Sequence, residues 1–154
     1  MKNLLSCDCG GVWRDHAYAA LRVVTGLAFF YHGYDKVFNM GVAKVAPFFG
    51  GVGIPLPELM AYLVSYGELA AGIGLILGLF THWAAKISTV IIIGAIGFVH
   101  WGASGGWFFG YGADGGYEYQ LLLLAASIFF LVSGPGRFSL DTRRAQKMNT
   151  GGMR

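Results

Sequence analysis

Residues 59–80 read LMAYLVSYGELAAGIGLILGLF, a run with one charged side chain, Glu68. A stretch of this length matches the ~20 apolar residues that cross about 30 Å of hydrocarbon as a helix. It lacks the polar stripe that a helix on the surface of a soluble bundle carries. Working outward, three similar stretches occupy residues 17–38, 84–101 and 119–133. The expected fold is therefore an all-α membrane protein: a four-transmembrane-helix bundle of one domain, residues 17–141. A short N-terminal segment (1–16) precedes it and a basic tail (142–154) follows. Composition agrees. Charged residues are 12% and hydrophobic residues 55%, against about 25% charged in soluble domains.

The connections carry their own signals. Residues 40–57 contain Val42, Val45, Ala46 and Phe49 at the spacing of one helix face, which predicts a short interfacial helix in the first outer connection. Pro57 followed by Glu58 suits the first turn of the next helix. The third connection, 102–117, is rich in Gly and aromatics; Trp107, Phe108, Phe109 and Tyr111 read first as headgroup anchors. Basic residues set the expected orientation. Lys2, Arg14, Lys86, Arg137, Arg143, Arg144, Lys147 and Arg154 belong to the N-terminal segment, the second connection (a tight turn expected at 81–83) and the tail. The positive-inside rule then puts both termini in the cytoplasm of a multi-pass inner-membrane protein. No cleavable signal is expected, because the first sixteen residues lack an apolar core; the first helix would serve as its own signal. The basic tail suits anionic lipid headgroups, and no nucleic-acid partner is expected.

Ionisable groups inside apolar segments are expensive and mark function by default. Arg22, His32, Lys36, Glu68, His100 and Glu118 are those groups here. At ~1.5 Å per residue, all but Arg22 fall in the outer half of the bundle. His32 and Lys36, four apart, share one face of an ideal helix. Glu68 is the deepest acid, with His32 its expected partner in proton handling; Lys36, Arg22, His100 and Glu118 are ligand-binding candidates. The plainer reading is an interhelical ion pair that needs no chemistry. Arg22 reads as structural or snorkelling. Gly67-x3-Ala71 and Gly74-x3-Gly78 are small-x3-small patterns, a tight seam for the first helix or another subunit. Cys7 and Cys9 are weak metal or redox candidates, since two thiolates do not complete a zinc or iron–sulfur site.

Several pieces in order carry a resemblance: Arg22-x3-Gly26, His32-Gly33-x2-Lys36, Phe48-Phe49 before Gly53-Ile54-Pro55, and Glu68-x3-Gly72. Gly78-Leu79-Phe80-Thr81, Gly115 to Tyr119, and Gly134-Pro135-Gly136-Arg137-Phe138-Ser139-Leu140-Asp141 follow. With these the chain resembles the DoxX-like integral membrane proteins, over roughly Arg14 to Asp141. The resemblance implies a four-helix inner-membrane bundle with redox associations, some members resembling subunits of thiosulfate:quinone oxidoreductase. Its recurrent residues fall on Arg22, His32, Gly33, Lys36, Glu68 and Glu118. Two departures are His82, where Arg is common, and the Cys7-x-Cys9 segment. No cofactor site is evident in the residues; a quinone is the ligand the resemblance implies. The leading expectation is a membrane subunit of a redox-linked, quinone-interacting complex, enzymatic only in that company, with membrane or redox-protein subunits or a second copy as partners. The rivals are a non-catalytic accessory or assembly subunit and a small-solute transporter acting as an oligomer.

Overall fold

The computed structural model describes residues 11–103, 108 and 116–151. It is all-helical, with no strand among the described residues. Helix α1 (Gly11–Tyr34) runs into a π turn (Asp35–Asn39), α2 is Val42–Gly51, and α3 is Pro57–Leu77. Helix α4 (Thr81–Gly94) continues as a π segment (Ala95–Ala103), α5 is Glu118–Ser133 and α6 is Leu140–Gly151. Two helices, Pro57–Leu77 and Thr81–Trp101, are long and apolar enough to cross a membrane, and Glu118–Ser133 is a shorter apolar helix. Helix α1 begins earlier than expected and includes Arg14 and Asp15. The basic tail is helical as α6, which the apolar pattern did not announce because this helix has no apolar face long enough to register.

Helix α3 is the hub: α1, α2 and α4 all pack on it, while α5 packs on α4 and α1. Glycine explains how closely. A Cβ on Gly33 would lie 2.4 Å from the Leu69 backbone nitrogen, one on Gly72 2.4 Å from that of Phe30, and one on Gly26 2.7 Å from that of Ile76. The antiparallel helices α1 and α3 therefore touch backbone to backbone. The expected small-x3-small seam divides, with Gly78 against the Arg22 side chain of α1 and against Ser139. Gly67 lies against Ile87 and Ile91, and Gly74 against Ala84, so those residues seat α4. Phe29, Leu75, Ala85 and Phe130 fill the main core, and Val42, Val45, Phe49 and Ala61 form a second one between α2 and α3. The face expected for α2 is thus the face it buries. Outside lies a broad apolar surface, with Val24, Leu122 and Val132 exposed (Val132 by 82%). Water would not tolerate so extensive a surface, whereas hydrocarbon solvates it at no cost.

The α3–α4 turn is a Schellman motif, with Gly78 left-handed and Leu79 N–H donating to the Gly74 carbonyl at 2.9 Å. The turn is therefore 78–80, and residues 81–83 are already the first turn of α4. Its cap comes from α6. Asp141 accepts from the Phe80 and Thr81 backbone N–H groups, each at 2.9 Å, and from the Thr81 hydroxyl at 3.0 Å. Burial pushes the Asp141 carboxyl up, but the Thr81 and Phe80 donors and the charge of Arg144 outweigh it and hold the group below its ordinary 3.8. A depressed carboxyl stabilises the fold above its unfolded pKa, and that stability disappears as pH falls through the folded value. Asp141→Ala should cost about 0.5–2 kcal/mol at neutral pH, as loss of a helix cap does. The gap to the unmodified protein should close in acid; thermal unfolding from pH 7 to pH 3 checks this, and a gap independent of pH would refute it.

Candidate functional site

The charged groups sort into two ends of the bundle. At one end Arg22, 2% exposed, donates from Nε to the Leu75 carbonyl at 3.0 Å, from Nη2 to Phe138 at 2.6 Å, and from Nη1 to Pro135. Leu75 is in the last turn of α3, whose final carbonyls have no partner within the helix. Tyr18 donates to the Gly134 carbonyl beside it. A Cβ on Gly136 would strike the Tyr18 ring at 2.5 Å, and Gly136 is left-handed at φ 73°. Ser139, Thr142 and the Gly136 carbonyl close a small hydrogen-bonded turn. Arg22 is thus the peg around which residues 134–141 wrap, tying α1, α3 and α5 together. Its donors are spent on the protein's own backbone.

At the other end Lys36 and Glu68 form an ion pair between α1 and α3. Glu68 is buried, 7% exposed. The close approach at Gly33 and Gly72 brings the two helices near enough for the lysine stem to span them. Lys36 sits in the π turn, where Met40 N–H bonds Asp35 at 2.8 Å in the i→i+5 pattern. His32 lies one turn earlier, in the α-helical part of α1. Glu68 pairs with Lys36, and His32 does not join them. His32 is exposed, 6.3 Å from the Tyr119 ring, and borders an open basin with Tyr31, Asp35 and Asn39.

Above the ion pair is a cleft of about 300 Å³. Its other walls are apolar: Phe48 and Phe49 from α2, Met60 and Val64 from α3, Val90 and Ile91 from α4. Ala95, Phe98 and Val99 add the π segment that continues α4. Both π segments of the described chain therefore border one cleft. Such segments are rare and recur at functional sites. An apolar pocket with a few convergent polar groups is the usual form of a small-molecule site. Because the lysine charge is matched by the glutamate, the site is net neutral and suits a neutral polar head. The ammonium can donate to a carbonyl oxygen, and the carboxylate can accept from a hydroxyl.

The remaining candidates lie near the same end without lining the cleft. His100 follows Val99 in the π segment, and its buried Nδ1 has no hydrogen-bond partner among the described residues. Glu118 opens α5, its backbone N–H donating to the Phe108 carbonyl at 3.3 Å. Trp101 stacks on Tyr117 at 6.2 Å, and Phe108 meets Tyr117 edge-on at 5.3 Å. Cys7, Cys9, Trp107, Phe109 and Tyr111 lie outside the described residues. No group of three His, Cys, Asp or Glu side chains able to hold a metal occurs among the described residues. Sequence reasoning missed the cleft walls on α4 and the π segments. Apolar periodicity does not distinguish a wall of a cavity from a lipid-facing side chain; only the doubled aromatics Phe48-Phe49 gave a signal.

A family model described as DoxX matches residues 17–101. A Bacillus subtilis protein named "Putative oxidoreductase CatD" is 36% identical over 121 residues, covering 79% of this chain and 81% of that one. An uncharacterized Haemophilus influenzae protein is 35% identical across 88% of this chain and 96% of its own. The uncharacterized membrane protein Rv3486 of Mycobacterium tuberculosis is 31% identical across 87% and 85%. No solved structure matches.

Proposed function

This chain belongs to the DoxX family of membrane proteins, and we propose that it serves as a quinone-interacting subunit of a redox-linked membrane complex. The observation that carries the reading is the cleft: an apolar slot between two π segments with one buried ion pair at its base. The oxidoreductase name of the Bacillus relative points the same way. A quinone has two carbonyl acceptors on an apolar ring. Lys36 would donate to one carbonyl and orient the ring. Reduction to the hydroquinone takes two electrons and two protons; water would supply both, one relayed through the Lys36 ammonium to the carbonyl oxygen it holds and the other through the Glu68 carboxylate, which takes it up before passing it on. The electrons come from the redox centre of a partner protein.

The same proposal sets the topology. Helices α1, α3, α4 with its π continuation, and α5 cross the inner membrane, with α2 at the outer interface. The Arg22 end faces the cytoplasm. Arg137 pairs with Asp15 there at 3.2 Å, and Arg143, Arg144 and Lys147 follow on α6, as the positive-inside rule asks. Lipid headgroups of negative charge would meet that helix.

Glu68→Gln tests the function. It keeps the shape and removes the carboxylate. Quinone-linked turnover per assembled complex should fall by about 10²–10⁴-fold, the range of a lost general acid or base; the unpaired Lys36 lowers thermal stability under either reading, so turnover per assembled complex is the deciding measurement. The accessory-subunit reading is favoured by one fact, that the Lys36–Glu68 pair is self-satisfied as a structural bridge should be. It expects the opposite result: lower stability or complex yield with specific activity preserved.

A further inference from the structure

We infer that the cleft is loaded sideways from the bilayer, and that its ligand is a quinone whose long apolar tail stays in the lipid while the head seats on Lys36 and Glu68. The inference rests on the quinone reading and narrows it to a ligand class and a route. Burial changes steeply along the cleft. At the base Glu68 is 7% and Phe49 5% exposed, whereas Val90 is 68%, Phe48 53% and Phe98 40% exposed. The opening therefore lies between α2 and α4, and its frame is apolar. The surface around it is apolar too, with Leu63 and Ile93 exposed on α3 and α4. A ligand arriving from water would meet a mouth that offers it no hydrogen bond, while a molecule dissolved in the hydrocarbon meets a continuation of its own solvent.

Size gives the second argument. The cleft volume of about 300 Å³ lies at the lower limit for small-molecule sites. It has room for a ring and its substituents but cannot enclose a tail that reaches across a membrane leaflet. The tail needs an exit. Gly94 lines the cleft between Val90 and Phe98, and a Cβ there would meet nothing within 4 Å, so the α4 wall is notched where a tail would leave. Order also fits: among the described residues the charged side chains of the lining, Lys36 and Glu68, are at the base, which suits a ligand polar at its inner end and apolar at its outer end.

Val90→Trp narrows the mouth without touching the ion pair, and as an exposed position it should tolerate the change. The full-length protein in nanodiscs would be titrated with a decaprenyl benzoquinone and with the tail-less benzoquinone, following tryptophan fluorescence. Val90→Trp should weaken the long-tailed quinone by about tenfold, or 1.4 kcal/mol, and leave the tail-less one within a factor of about two. Equal weakening of both, or of neither, overturns sideways loading while leaving the quinone site in place. Failure of the unmodified protein to bind either compound overturns the quinone reading itself.

Discussion

Arg22→Met is expected to lower the thermal unfolding midpoint of the detergent-solubilised protein by about 10 °C, corresponding to a loss of some 3 kcal/mol or more. Methionine fills much of the volume but donates nothing. Three carbonyls, those of Leu75, Pro135 and Phe138, would then face a buried cavity with no donor. A hydrogen bond to a charged group contributes about 1.5–3 kcal/mol, and a stranded buried acceptor adds its desolvation cost. Arg22→Lys should rescue only in part, because one ammonium on a flexible stem cannot reach three acceptors that a planar fork reaches together. The loss should be accompanied by faster proteolysis after residue 134, since the peg holds that segment. A midpoint within about 2 °C of the unmodified protein would show that water replaces the guanidinium there.

A larger effect is expected from Gly72→Ala and Gly33→Ala. Ordinary overpacking costs about 1–3 kcal/mol because side chains shift. Here the new Cβ meets backbone: for Gly72 the Phe30 nitrogen at 2.4 Å and Cα at 2.6 Å, for Gly33 the Leu69 nitrogen at 2.4 Å and Cα at 2.7 Å. No rotamer relieves such a contact, so α1 must move off α3. The displacement also pulls Lys36 from Glu68, so binding at the proposed quinone site should fall together with stability. Gly97→Ala is the control. A Cβ there meets nothing within 4 Å, and replacing a helical glycine should be neutral or stabilising by up to about 1 kcal/mol. Unfolding curves of the three variants decide the matter; equal midpoints for Gly72→Ala and Gly97→Ala would mean that α1 and α3 are not in backbone contact.

The two results bear on how the site is made. Glu68 lies where its apolar neighbours say an acid should not be, and that anomaly is visible in the chain alone. Its partner is not. An ideal helix places His32 and Lys36 on one face, and His32 is then the natural proton partner. The structure gives Glu68 to Lys36 instead, on a π turn at Asp35–Asn39 that nothing in DKVFN announces. The short helix of the first connection was readable as a helix because Val42, Val45 and Phe49 repeat at helical spacing, and it buries that face against α3. The glycine patterns were readable as close packing but not by direction: the seam with α1 uses Gly26, Gly33 and Gly72, while Gly67 and Gly74 receive α4.

Local composition by itself determined that this protein is helical and apolar, where its main helices lie, and that Arg22, Lys36 and Glu68 sit in costly surroundings. Those properties follow from transfer energies and periodicity, which act over a turn or a span and need no knowledge of what lies opposite. Pairings were decided only by the tertiary structure: Lys36 to Glu68 at the base of an apolar cleft, Arg22 to three backbone carbonyls, and Asp141 to the start of α4. Each depends on how far two helices slide and rotate before their backbones meet. That choice is made by glycines and π turns acting across the interface, and it has no signature in either segment taken alone.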